Sequence, residues 1–371
     1  MILHIVEPTL TSYAGHCHSL VDALVQAAPV EQVRIWAGKG SEKFWKGGGQ
    51  LEPYFYGPLR RFQAFLLYQR LLRQPGKVLV STAGTSDLIT LDWIAKGEIP
   101  ESKMYLYIHW LGAKPSKAAK LAAIAKRQPN LEILCTTPNG TAFFSELGFR
   151  ARTVPYPRNA ISTQDREARP FSHLVVAGAA RSDKGFDKIV DLVEEFARSK
   201  AAWPMLVQAS ATHHDKHSPE IRRQIDRLTR AGYAHLILQK TTLTPKDYQA
   251  IFPGGVSVQP YSESVFQDRI SGVTLDALSA GCPVVVTANT WLARTISQYQ
   301  AGVATGDLSP AGLRLAIEQV LADYGGYAQR AVKAGRELHS QYSARAMMEA
   351  IFGTGCSVGS AENSPKPKFF E

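Results

Sequence analysis

One stretch constrains this chain more than any other: Val256 to Val286, VSVQPYSESVFQDRISGVTLDALSAGCPVVV. The apolar run Val256–Gln259 reads as a buried strand, and a polar loop follows from Pro260 to Ile270. Val273, Leu275, Ala277, Leu278 and Ala280 then fit a short, largely buried helix. Ser271 suits its N-cap, because a serine hydroxyl can accept from a free amide of the first turn. Gly281 and Pro283 stop the helix, and Pro283–Thr287 is a second strand of β-branched residues. A helix N-terminus presents unpaired amides and about half a positive charge, so the Ser271-Gly272-Val273 junction suits a phosphate. Gly272 lets an anion approach the backbone closely. Asp268 and Asp276 flank the junction with seven residues between them. The plain alternative is that Asp276 is an early-turn acid favoured by the helix dipole and Asp268 an ordinary loop acid.

The rest of the chain repeats the strand–loop–helix pattern. Ile2–Val6 is a strand that breaks into a loop ending at Tyr13-Ala14-Gly15, followed by a helix with Leu20, Val21, Leu24 and Val25 on one face. There is no G-x-G-x-x-G, which argues against a dinucleotide enzyme; Gly15 is either a site glycine or a turn glycine. Further strands are expected at Val33–Ala37, Lys77–Ser81, Met104–His109 and Glu132–Thr136, with helices between most of them. Such alternation implies α/β architecture with parallel sheets covered on both faces and ligands beyond the C-terminal strand ends. Thr82–Ser86, His109 and Thr136-Thr137 stand at such ends. His109 could bond a sugar hydroxyl or a phosphate, or be a satisfied structural histidine.

After an extended, proline-rich segment and a polar linker, the alternation restarts with strands at His173–Ala177, Met205–Ala209 and Leu236–Gln239. Arg181 and Lys184 lie in the loop after the first of these, where two cations could neutralise a diphosphate. The loop is not a Walker A motif. Helices are expected at 311–324, 327–338 and 344–352. With 371 residues, two domains are expected, at 1–162 and 170–338. A C-terminal helix near 340–352 would pack back on the first domain, and 353–371 reads as a disordered tail.

Charge is unevenly spread. The net charge is +10, and residues 1–170 hold 21 Lys and Arg against 13 Asp and Glu, so this half should meet something anionic. Two basic amphipathic stretches, Arg60–Arg73 and Lys114–Arg127, could lie on an anionic membrane surface or be solvated helix faces. No nucleic-acid reading motif is present. No run of about 18 apolar residues suggests a transmembrane helix, and MILHIVEPTL lacks the regions of a signal peptide. Four scattered cysteines argue for reduced thiols and against a zinc site. The expected location is cytoplasmic, at the inner face of the membrane.

Taken together, these residues resemble a GT-B glycosyltransferase, similar to the retaining family 4 type, up to about Phe352. Gly178, Arg181, Lys184 and Gly185 match the family's glycine, arginine and lysine-glycine. Asp268, Asp276, Ala277, Gly281, Pro283, Val284 and Val285 match its two acids and the Ala-x-x-x-Gly-x-Pro-Val-Val run. Gly15 matches its first-loop glycine, His109 its strand-end histidine, and Pro157-Arg158-Asn159 its linker segment. Both acids are usually glutamate, Arg181 comes two positions late, and Arg294 stands where an acid is frequent. The resemblance implies two Rossmann-like domains across a cleft and no metal or cofactor. It implies transfer of a sugar from a nucleotide-diphospho-sugar to a glycan, lipid-linked or other hydroxyl acceptor, with retention. Arg181, Lys184 and the amides of Ser271, Gly272 and Val273 would hold the diphosphate, Asp276 the ribose, and Asp268, with His109, the reacting sugar. Glu263 is the rival to Asp268. An epimerase of the same fold and a non-catalytic nucleotide-sugar or polyanion binder are the alternatives.

Overall fold

The computed structural model describes residues 1–12, 17–109, 117–157, 167–211 and 217–353. Its N-terminal half builds strands β1 (Ile2–Glu7), β2 (Gln32–Gly38), β3 (Gln50–Phe55), β4 (Lys77–Val80), β5 (Met104–Ile108), β6 (Glu132–Cys135) and β7 (Arg150–Thr153). They form one parallel sheet in the order β3-β2-β1-β4-β5-β6-β7. The second half contributes β8 (His173–Val176), β9 (Met205–Gln208), β10 (Leu236–Gln239), β11 (Gly255–Gln259), β12 (Val284–Thr287) and β13 (Gly302–Thr305). These form a second parallel sheet, β10-β9-β8-β11-β12-β13. Each sheet reverses direction once, between β1 and β4 and between β8 and β11. Those are the switch points where open α/β sheets bind ligands.

The central strands are apolar on both faces because helices cover both. All residues of β5, β11 and β12 are buried. Helix α6 (Phe186–Ser199) turns Phe186, Ile189, Val190, Leu192, Val193 and Phe196 onto the second sheet, each burial contributing roughly 1.5–3 kcal/mol before entropy is counted. Three strands escaped the sequence pattern: β3, β7 and β13. All three are edge strands, where one neighbour suffices and apolar alternation is not enforced; β3 even carries Pro53. The helix expected at 311–324 ends earlier: α12 (Pro310–Ala322) breaks at Asp323, and Tyr324 begins α13 (Tyr324–Gln341).

The chain then returns to the first domain. Helix α14 (Ala344–Phe352) packs Met347, Met348 and Ile351 with Leu3, Ile5, Leu20 and Leu24, two of them from α1 (Cys17–Ala27). Its Ile351 carbonyl is met by two side chains of the first sheet. Lys77 Nζ donates to Ile351 O (2.7 Å) and Tyr105 Oη donates to the same oxygen (3.0 Å), a cation and a hydroxyl at a helix C-terminus. The second helix-forming basic stretch, where described, is α4 (Ala118–Arg127); it buries Leu121, Ile124 and Ala125 and leaves Lys120, Lys126 and Arg127 to solvent.

Candidate active site

The second switch point is built by the loops after β8 and β11. The chain leaves β8 through Gly178, whose φ of 98° favours glycine, and its amide donates to Gln208 Oε1 (2.7 Å) at the end of β9. A single 3-10 turn, Ser182–Lys184, follows, and Gly185 sits at φ 64° with its Cα against the Pro260 carbonyl. A side chain at 185 would collide with that backbone. The Ser262 amide donates to Asp183 O (2.9 Å), so the two loops are stitched together.

Cations converge there. A Cβ on Gly178 would stand 2.8 Å from Lys184 Nζ and 3.6 Å from Val273 Cγ2, which puts the ammonium beside the N-terminus of α10 (Gly272–Ser279). Lys184 also lies over the Tyr261 ring, 5.5 Å from its centre. Burial, then the nearby Arg181 and Arg269, push the Lys184 pKa down to about 8; Asp183 and Asp276 oppose the shift. Arg181 Nε donates to Asp183 Oδ1 (2.8 Å) and its Nη2 pairs with Oδ2.

At α10 itself, the Ser271 hydroxyl accepts from Thr274 N (3.2 Å), as its cap role requires. Thr274 Oγ1 donates to the buried Gln259 Oε1 (2.6 Å), tying the first turn to the end of β11. A side chain at Gly272 would meet open space, so this helix end is accessible to a ligand. Asp276, one turn on, accepts from Tyr248 Oη (3.1 Å), a tyrosine of α8 (Pro245–Ala250).

Asp268 stands apart from that group. Its Oδ2 accepts from Thr137 Oγ1 (2.6 Å) and its Oδ1 from Asn139 Nδ2 (3.1 Å), both at the start of α5 (Pro138–Glu146) in the first domain. The carboxylate thus crosses the interdomain cleft to a helix N-terminus, where the dipole favours it. Arg294 Nη2 is 3.9 Å from the same carboxylate. Glu263 begins the four-residue helix α9 (Glu263–Phe266) and is exposed.

His109 lies at the end of β5. Its Nε2 donates to Ser81 O (2.7 Å); a carbonyl can only accept, so Nε2 carries a proton. Its own carbonyl accepts from Thr136 Oγ1 (2.8 Å), and Tyr107 and Tyr156 flank the ring at 4.7 and 5.5 Å. Thr136 and Thr137 therefore place His109 and Asp268 along one edge of the cleft. Gly15, Arg158 and Asn159 lie outside the described residues.

The structure thus gathers Arg181, Lys184, Ser271, Gly272, Val273 and Asp276 into one site and sets Asp268 and His109 on the cleft edge. Sequence reasoning missed Gln208, Gln259, Tyr248 and Arg269, and placed Thr137 at a strand end without its partnership with Asp268. The first two had a readable signal, a polar residue ending an otherwise apolar strand. A depression of about 330 Å³ lies elsewhere, bordered by Leu72, Arg73, Ile94, Lys96 and Pro100 on the outer face of the first domain.

By sequence, no family model and no curated protein matches the chain. By structure, it is similar to a sucrose-phosphate synthase from Thermosynechococcus elongatus (13% identity, 94% of this chain and 97% of that one, TM-score 0.67). It is similar to a glycosyltransferase from Rickettsia africae (10%, 94% and 96%, 0.67). It is also similar to Anabaena HepE in complex with UDP-glucose (12%, 95% and 98%, 0.70). These likenesses span both domains and establish the GT-B fold.

Proposed function

We propose that the protein is a glycosyltransferase that moves a sugar from a nucleotide-diphospho-sugar to an acceptor hydroxyl. The observation that carries this is the convergence of Lys184, Arg181 and the open N-terminus of α10 at the second switch point. When the glycosidic bond loosens, negative charge develops on the diphosphate, and preorganised cations and amides stabilise it there. HepE, of the same fold, was solved with UDP-glucose, which supports a nucleotide-sugar donor. In this reading Asp276, held by Tyr248, meets the ribose. Asp268 or Glu263 meets the transferred sugar; the cleft-crossing position of Asp268 favours it. His109 and the strand ends of the first domain face the acceptor side. Retention of configuration rests on the sequence resemblance. The protein's own cations serve the leaving group, so activity should survive EDTA; loss restored by manganese or magnesium would count against the reading. The main test is a thermal-shift screen of UDP-, GDP-, ADP- and dTDP-sugars, followed by an acceptor screen with the best donor. Donor consumption without any acceptor would point to an epimerase instead, and binding without turnover to a binding protein.

The acceptor side is proposed to meet an anionic membrane in glycan synthesis at a cytoplasmic face. Helix α2 (Arg60–Arg73) leaves Phe62 and Leu66 61% and 41% exposed, beside Arg60, Arg61, Arg70 and Arg73. Helix α3 (Thr85–Ile94) adjoins it and adds Trp93, 76% exposed, with its ring 5.1 Å from Phe65. Aromatic side chains among arginines suit a headgroup boundary. No described helix is long and apolar enough to cross a membrane. Glutamine at the four arginines should reduce co-sedimentation with anionic vesicles at low salt. Failure of the wild type to bind such vesicles would make a soluble acceptor the better reading.

A further inference from the structure

Arg269 follows Asp268 in the loop after β11, yet its side chain turns into the diphosphate site rather than the cleft edge. It is 19% exposed, its Nη1 lies 3.5 Å from Asp183 Oδ2, and its guanidinium stacks 5.2 Å from the Phe266 ring. The same Asp183 carboxylate takes both bonds from Arg181. Three cations, Arg181, Lys184 and Arg269, therefore stand near Asp183, itself only 23% exposed, with Asp276 a second acid in range of Lys184. Burial pushes the Arg269 pKa down to about 10, and the neighbouring Arg181 adds to the shift. A desolvated excess of positive charge is costly until an anion neutralises it.

A second observation points to the same space. Tyr261 is 3% exposed, and its Oη lies beside the Ser271 side chain at the N-terminus of α10. A phenol hydroxyl both donates and accepts, so beside Ser271 it can also meet a ligand oxygen that reaches the helix N-terminus. Tyr261 lies under Lys184 and within the field of Arg181 and Arg269.

We infer that Arg269 is a third cation of the diphosphate pocket, joined by the Tyr261 hydroxyl, and that Asp183 is the resident counter-ion the donor's phosphates displace. This rests on the glycosyltransferase reading and adds residues to its site. In the free protein Asp183 screens Arg181 and Arg269. When a diphosphate enters, its oxygens take over the guanidinium hydrogen bonds, with bidentate geometry available at each. Asp183 then becomes a nearby like charge, so it weakens the very ligand the arginines attract, and it discriminates against weaker, singly charged anions that cannot outcompete it.

The test is calorimetric titration of UDP, GDP, ADP and dTDP, with the matching nucleosides as controls. Arg269→Gln should weaken binding of the preferred nucleoside diphosphate about ten- to a hundredfold and leave the nucleoside unchanged. Tyr261→Phe should weaken the diphosphate a fewfold. Asp183→Asn, which keeps the shape and the backbone bond to Ser262, should tighten it. If Arg181→Ala loses affinity while Arg269→Gln stays within about twofold of wild type, the inference fails and the transferase reading stands. Weaker diphosphate binding by Asp183→Asn at an unchanged melting temperature overturns the counter-ion role. Wild-type protein that binds none of the four diphosphates refutes the transferase reading, and the inference with it.

Discussion

The two domains share one topology and fill their switch points in opposite ways. At the first, β1 ends in Glu7, fully buried. Its Oε1 accepts from Thr9 N (3.0 Å), Thr9 Oγ1 (2.5 Å) and Thr82 Oγ1 (2.9 Å), and its Oε2 from Ser81 Oγ (2.8 Å). The strand-end loops of β1 and β4 are thus sewn together by an internal acid. At the second, β8 ends at Val176 and runs on into Ala177-Gly178, and the loops beyond it bring Lys184, Arg181 and Arg269 together near Asp183. The first crevice is closed by an acid held by hydroxyls and an amide, and the second sets its acid, Asp183, among cations. The topology supplies the crevice, and the residues at and just beyond the end of its first strand decide what the crevice holds.

The largest effect should come from removing that acid. Glu7→Leu removes the carboxylate that takes hydrogen bonds from the Thr9 amide and from the hydroxyls of Thr9, Ser81 and Thr82, and should lower stability by about 3 kcal/mol or more, read as an earlier urea transition. Nucleoside diphosphate affinity of the folded variant should stay at the wild-type value. A drop in that affinity would mean that the two crevices are not independent.

Next in size is Arg181→Ala, which should weaken nucleoside diphosphate binding by roughly 1.5–3 kcal/mol, the scale of a charge-assisted hydrogen bond. Titration calorimetry on this variant and Lys184→Ala checks it; unchanged affinity in both would leave the second crevice without its distinguishing role.

The pH dependence of Lys184 sharpens the comparison further. A bound diphosphate favours the ammonium, so binding should take up a proton, and affinity should fall as pH rises above about 8, by up to about tenfold per pH unit. The contribution of Lys184 to folding runs the other way. Its folded pKa lies below the unfolded value of 10.5, so the unfolded chain holds more protons between those values and this contribution rises with pH from about 8 to 10.5. Titrations at pH 7 and 9 in buffers of different ionisation enthalpy read the proton directly. Lys184→Arg should abolish the decline, and a decline that persists in it assigns the proton elsewhere.

The smallest effects, about 1 kcal/mol each, should separate the two acids of the second domain. Asp276→Asn should mainly raise the donor KM, because a group holding only ribose binds ground and transition state alike. Asp268→Asn should lower kcat at saturating donor. Full kcat in Asp268→Asn together with its loss in Glu263→Gln would move the sugar contact from the cleft edge to α9.

Much of this was legible in the sequence, for physical reasons that differ by residue. Central parallel strands such as Val256–Gln259 and Val284–Thr287 must be apolar on both faces, so they stand out as unbroken runs. Ser271 and Gly281 are local instructions, a cap oxygen for one amide and a positive-φ stop, and both act within a turn of where they are written. Edge strands β3, β7 and β13 carry no such demand and were invisible. Arg181 and Lys184 could be read as a pair because they share one loop. Arg269, 85 positions after Lys184, meets them only because β8 and β11 are neighbours in the sheet, and that adjacency is a property of strand order. The partnership of Asp268 with Thr137 and Asn139 is further still from the sequence, since it exists only when the domains face each other. Sequence by itself determined the buried strands, the helix caps and the open N-terminus of α10, because those depend on neighbours along the chain. Tertiary structure alone decided which charges share a pocket, because Coulomb energy and desolvation follow distance in space, and distance in space was set by the sheet.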